Sequence, residues 1–371
     1  MAYDDINLRV PGPTPVPEQV ALSGARPMVN HRGPEFAATV AEVLERLQPF
    51  FGIQSEPLLL TGSGTGAQEA AIVNMLSPGD EVLSVTAGVF GERFGAIAEA
   101  FGAEVTRVQG EWGKAISAET VAEAVRDNPA IKAVILTHNE TSTGVTNDIA
   151  RLVAAIRREA TGPQPVVLVD GVSSIGAIPF RMDEWDVDVA ISGSQKAWMS
   201  PPGMAMVGVS ERGWAAHAEA QMPRFYWDFT KARKNGEKRT MPFTPAVGVV
   251  HAMQEALRLM NEEGPENIYT RHAAIGERVR TGLQALGLEL FAEPTAASNT
   301  VTAVRTPEGI DTSTLIKALR QRRVVVANGQ DWLKGSIFRI GHMGWVHERD
   351  IDALIAALEA TLDESRLEPA V

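Results

Sequence analysis

From about residue 38 onward, short apolar runs alternate with helically spaced apolar positions. Leu58-Leu59-Leu60, Glu81 to Val85, Lys132 to Leu136, Val166 to Val169 and Val187 to Ile191 read as buried strands. Between them lie helix-like segments; over 148–160, Ile149, Leu152, Val153 and Ile156 share one face. Strands apolar on both sides and separated by helices predict an α/β domain with a mainly parallel sheet and helices on both faces. After Thr244-Pro245 a long helical pattern runs to about Met260, Asn261 to Pro265 breaks it, and a second helix is expected over 266–285. The rhythm then changes to strand 299–305, helix 312–321, strand 336–340 and helix 348–363, an α+β pattern. The chain therefore divides into an N-terminal arm (1–20), a large domain (21–264) and a smaller C-terminal domain (265–371). The arm contains PGPTPVP at 11–17, where proline forbids regular helix or central strand. There is no internal repeat.

Composition narrows the function classes. With 371 residues, 44% hydrophobic and 22% charged, the chain is globular in type and large enough for about two domains. A net charge of −12 argues against a nucleic-acid partner, which needs gathered Lys and Arg. The densest basic stretch, Lys231 to Arg239, is interrupted by Glu237 and reads as a solvated loop. The absence of cysteine removes disulfides, thiolate metal sites, iron–sulfur clusters and cysteine nucleophiles. The opening MAYDDINLRV has no apolar run of a signal peptide, no stretch nears the ~20 apolar residues of a membrane helix, and the final EPAV is no address. The expectation is a cytoplasmic protein without a membrane partner.

Four segments carry candidate chemistry. In Leu59 to Ala67 a strand enters a turn containing Gly62, Ser63, Gly64, Thr65 and Gly66, then a helix. Such a junction offers unpaired N–H groups and a helix dipole to an anion. Its G-x-G-x-G spacing matches neither a dinucleotide fingerprint nor a Walker loop, so a monophosphate fits better; a plain glycine-rich connector is the alternative. Asp170 ends an apolar strand, where open α/β sheets bind ligands, though it could equally cap the next helix. Lys196 follows the next apolar strand in Ser-Gly-Ser-Gln-Lys and is the one lysine flanked by an apolar strand and a small-residue turn rather than by charges. Partial desolvation would lower its pKa and make it a nucleophile and proton carrier. A snorkelling surface lysine, or a Ser–Lys dyad with Ser194 or Ser192, are the rival readings. Arg339 stands inside an apolar strand, as a fork for a carboxylate or as half of an internal ion pair. His31, His138, His342 and His347 show no paired spacing, so no metal is assigned.

Together with NHRGPEF (30–36), HNETSTGV (138–145) and FRIGHMG (338–344), these segments resemble the class V aminotransferases. These bind pyridoxal 5′-phosphate (PLP) on the fold-type-I scaffold, and the nearest likeness is to alanine:glyoxylate and serine:glyoxylate aminotransferases. The block from Asp170 to Lys196 is the most specific part. The resemblance implies that Lys196 holds PLP covalently and then carries a proton, and that Asp170 keeps the pyridine nitrogen protonated. It places Ser63, Gly64, Thr65 and Gln195 at the phosphate, Thr141 near the ring hydroxyl, and Phe90 stacked on the ring where alanine:glyoxylate enzymes have Trp. Arg339 would bind the substrate α-carboxylate and Gly12 would line the substrate pocket. Thr244 would reach the phosphate of a neighbouring subunit, implying a homodimer with shared sites; beside it, Met241 stands where those enzymes have a phosphate-binding tyrosine.

The expected activity is ping-pong transfer of an amino group from a small L-amino acid, alanine or serine, to a 2-oxo acid such as glyoxylate or pyruvate. Without cysteine, a desulfurase is excluded unless a substrate thiol replaces it. A β-lyase or racemase on the same fold, a Ser–Lys amidohydrolase, and a scaffold without activity are the alternatives. Donor loops are expected near the arm and over 224–230.

Overall fold

A computed structural model describes residues 6–367; the first residues of MAYDDINLRV (1–5) and the final EPAV (368–371) lie outside them. The central sheet has seven strands, in the order Leu58–Gly62, Gly203–Val209, Val189–Gly193, Val166–Asp170, Ile131–Thr137, Glu81–Thr86 and Glu104–Gln109. All neighbouring pairs are parallel except those made by Gly203–Val209, which is antiparallel on both sides. Alternate side chains enter two separate cores. Val134, Leu136, Val167 and Val169 pack on one face, and Ala133, Ile135, Val166 and Leu168 on the other. That is why these strands carry no polar residue until their ends. Each fully buried aliphatic residue contributes roughly 1.5–3 kcal/mol.

Two strands of this sheet escape the apolar-run criterion. Glu104–Gln109 is the sheet edge, polar and half-exposed along its length. Gly203–Val209 is interrupted by Gly208, where a Cβ would sit 2.6 Å from Met182 Sδ; the close packing requires glycine. The basic stretch is also corrected. Phe229–Gly236 is a helix, because Asp228 caps it by accepting the Lys231 N–H and because Phe229 and Ala232 are buried.

Helices Val247–Glu263 and Pro265–Ala285 meet at Gly264, whose φ of 85° suits glycine, with proline opening the second helix. Ile268 and Tyr269 at the start of that second helix still pack in the large core. From Ile275 onward it joins a third core with Leu315, Phe338, Ile340, Leu354 and Leu358. There a small antiparallel sheet runs Val301–Arg305, Ile337–Gly341, Ala327–Asn328. The arm enters this region first. Asn7–Leu8 pairs parallel with Val324–Val325, and the Gly341 N–H donates to the Arg9 carbonyl. Pro11 to Pro17 then cross to the large sheet. Among the described residues, no helix is long and apolar enough to cross a membrane.

Candidate active site

The carboxyl ends of the parallel strands and the arm enclose a cavity of about 310 Å³. Its walls include Gly12, Ser63, Gly64, Thr65, Phe90, Asp170, Gln195 and Lys196, together with Pro13, Gln68, Arg93, Val172 and Pro202. Eight of the eleven expected site residues are thus brought to one space. Thr141 and Arg339 are not among its walls but stand beside them, and Thr244 is exposed elsewhere on the surface.

Lys196 is held by the arm. Its Nζ donates to the Pro11 carbonyl at 2.6 Å, while the Thr14 hydroxyl donates to the Lys196 carbonyl at 2.7 Å and the Thr14 N–H to the Gln195 carbonyl. Gly12 has φ 140°, and a Cβ there would lie 2.6 Å from Nζ, so the arm can close over the amine only with glycine at this position. Burial lowers the Lys196 amine to about 8; Asp170 opposes the fall, and Arg339 and Arg93 add to it. Ser194 is no nucleophile here, because its hydroxyl donates to the Pro201 carbonyl and accepts the Met204 N–H. Ser192 accepts from the Trp198 indole.

Asp170 is almost fully buried, and burial raises its carboxyl to about 6. One oxygen accepts the Val172 N–H at 2.9 Å and the other the Gln68 amide at 2.7 Å. A carboxylate has further acceptor capacity, and Asp170 also lines the cavity. It is therefore no mere helix cap.

Ser63 is the N-cap of helix Gly64–Met75, its hydroxyl accepting the Gly66 N–H at 3.4 Å. Trp227 backs the turn: a Cβ on Gly66 would meet its ring at 3.0 Å, and its indole donates to the Thr61 carbonyl. Segment 224–230 therefore lies beside this turn. Across the cavity Arg93 stacks its guanidinium 4.7 Å from the Phe90 ring centre and reaches Thr65 Oγ at 3.4 Å.

Arg339 makes no internal ion pair among the described residues. Nε donates to the Asn328 carbonyl, and Nη1 donates to the Thr141 carbonyl and to Gln330 Oε1. Burial lowers it to about 10, against the pull of Glu140. Met241 packs in the large core, so its side chain is a structural one and no surface stand-in for a tyrosine. Among the described residues no cluster of three or more His, Asp or Glu is placed to hold a metal.

These residues suit PLP. A helix end with two hydroxyls can take its phosphate, the Phe90 ring and Val172 offer apolar surface to its ring, and a carboxylate and an amine share the same cavity. Gln195 lines the same cavity, where its side-chain amide N–H can donate to a phosphate. Sequence reasoning passed over Pro11, Gln68, Arg93 and Glu140. Gln68 carries a signal, as a buried amide in a helix of small residues, and so does Glu140, an acid just past a strand end.

The sheet order, helical cover and site at the strand ends are those of the fold-type-I PLP-dependent transferases. Residues 18–352 match the family described as aminotransferase class-V. A relative from Synechococcus sp. named soluble hydrogenase, small subunit, is 42% identical over 97% of this chain and 94% of its own. A serine–glyoxylate aminotransferase from Methylorubrum extorquens is 38% identical over 96% of this chain and 90% of its own. The crystal structure of an alanine–glyoxylate aminotransferase from Nostoc sp. superposes with a TM-score of 0.92 at 30% identity, covering 98% of this chain and 96% of that one. The chain belongs to the class V aminotransferases. It is a PLP-dependent transaminase.

Proposed function

We propose that this transaminase moves the amino group of L-alanine or L-serine to glyoxylate or pyruvate in two half-reactions. The observation that carries the reading is the desolvated Lys196 amine sharing one cavity with Asp170 and the Ser63–Thr65 turn. The names of the serine–glyoxylate and alanine–glyoxylate relatives support the substrates. The hydrogenase name of the Synechococcus relative is not carried over, because a chain without cysteine has no thiolate to ligate nickel or iron.

PLP supplies an electron sink next to the carbon that loses its proton. Lys196 Nζ is the covalent anchor and afterwards the proton carrier; an amine near pH 8 is neutral often enough to do both. Asp170 holds a proton at the ring nitrogen. Ser63, Gly64, Thr65 and Gln195 bind the phosphate, Phe90 covers the ring and excludes water, and Thr141 lies near the ring hydroxyl. Arg339 binds the substrate α-carboxylate as a fork, and Gly12 gives the substrate room beside Lys196. The exposed Thr244 fits a contact to a second subunit, and with it a homodimer. The proposed division into an arm (1–20), a large domain (21–264) and a small domain (265–371) is supported by the separate third core, although Ile268 and Tyr269 just past the boundary pack in the large one. The cytoplasm is the proposed compartment.

The test is product stoichiometry. With serine or alanine alone, the PLP-loaded protein should release one oxo acid per site and stop; added glyoxylate should restore turnover. Continuous turnover without an acceptor would instead indicate a lyase or racemase.

A further inference from the structure

We propose that Glu140 is a positioning residue which, through the loop Glu140-Thr141-Ser142, fixes the helix that presents Phe90 and the guanidinium of Arg339 relative to each other. This rests on the roles proposed above for Phe90 and Arg339.

Helix Val89–Ala100 begins with Gly88, which has no side chain to cap it. The first N–H groups of a helix need partners when they are buried. Here they find them on a loop fifty residues later in the chain. The Val89 N–H donates to Ser142 Oγ at 3.0 Å, and the Phe90 and Gly91 N–H groups donate to Glu140 Oε2 at 3.0 and 3.2 Å. Glu140 Oε1 accepts the Ser142 N–H at 3.0 Å and its hydroxyl at 2.6 Å. Both oxygens are filled, the residue is 1% exposed, and it is no wall of the cavity. A carboxylate at this helix end also meets the positive pole of the dipole.

The fit is tight. A Cβ at Gly88 would stand 2.4 Å from both Glu140 Cγ and Ser142 Oγ, so only glycine lets the helix start approach the loop this closely. On its other side the same loop reaches the second functional group, since the Thr141 carbonyl accepts Arg339 Nη1 at 3.2 Å. Burial pushes the Glu140 carboxyl up, and its four donors pull it back. The Glu140 charge also supports the protonated state of Arg339. One buried loop thus holds the ring-stacking helix and the substrate arginine in register.

Glu140→Gln is the test, because an amide nitrogen cannot accept the N–H groups that one carboxylate oxygen now takes. The variant should fold, with a Tm lowered by a few degrees. Its equilibrium affinity for PLP should fall about tenfold, the scale of a lost hydrogen bond to a charged group. The visible circular dichroism of bound PLP should weaken, and the donor KM should rise about tenfold with a smaller change in kcat. In a Phe90→Leu background the loss in PLP affinity should shrink, since coupled residues are not additive. If Glu140→Gln does not fold, Ser142→Ala keeps the carboxylate and should weaken PLP binding about threefold. A folded variant with wild-type PLP affinity, dichroism and donor KM overturns the inference, as does full additivity with Phe90→Leu. Wild-type protein that binds no PLP would overturn the proposed function itself.

Discussion

Asp170 and Glu140 are two nearly fully buried carboxyl groups near the ends of neighbouring parallel strands, yet their surroundings differ in kind. Asp170 accepts one backbone N–H and one side-chain amide, and it faces the cavity with Lys196. Glu140 accepts three backbone N–H groups and a hydroxyl, and it does not line that cavity. The contrast separates a carboxylate kept for a ligand from one spent on the backbone. Unused acceptor capacity in a desolvated place is costly unless a ligand fills it, so its presence at Asp170 marks a binding group. Saturation at Glu140 marks a group that sets geometry.

The sharpest way to break the comparison is at the amine that Asp170 faces. Lys196→Ala should lower transamination on the order of 10⁴-fold or more, because it removes both the covalent anchor and the proton carrier. Single-turnover oxo-acid release measures this, and a tenth of wild-type activity would contradict it. Asp170→Asn should lower kcat by about 10²–10³-fold, as for other lost charge-stabilising groups.

The pH dependence sharpens the assignment further. The Asp170 carboxyl is raised to about 6, so it loses its charge as pH falls through 6. PLP affinity should therefore be full above that point and decline below it, and Asp170→Asn should abolish this limb. Lys196 is lowered to about 8, so its neutral fraction grows as pH rises to 8. The rate of PLP capture by the cofactor-free protein should fall about tenfold for each unit below 8. A rate still climbing through pH 10 would restore an ordinary lysine. Glu140→Gln gives a smaller effect, about tenfold in PLP affinity; because the Glu140 charge helps to raise Asp170, it should also move the acid limb to lower pH while leaving the Lys196 limb in place.

Much of the site was legible because its signals are local. Asp170, Lys196 and the Ser63–Thr65 turn each interrupt or follow an apolar strand with small polar residues, and the strand ends gather at one edge of the sheet. Phe90, Thr141 and Gln195 were proposed only through family resemblance, since nothing about an isolated Phe or Thr announces a ligand contact; Phe90 and Gln195 line the cavity, whereas Thr141 is not among its walls. What stayed hidden is non-local. Glu140 draws its partners from Val89 to Gly91 and Ser142, and no periodicity pairs a loop acid with a helix start fifty residues earlier. Arg339 was placed in its strand correctly, but its acceptors are two carbonyls and an amide brought from two segments, where a carboxylate was the obvious alternative. The edge strand Glu104–Gln109 and the capped helix Phe229–Gly236 were missed because half-exposed elements bury too little apolar surface to stand out.

The most direct test of the account is the visible spectrum of the PLP-loaded protein before and after L-alanine or L-serine, with no acceptor present. The account predicts a yellow band that one equivalent of donor converts to the spectrum of the amine form, and a glyoxylate addition that restores it. A protein that stays colourless with PLP, or a band that responds to none of the amino acids, would contradict it.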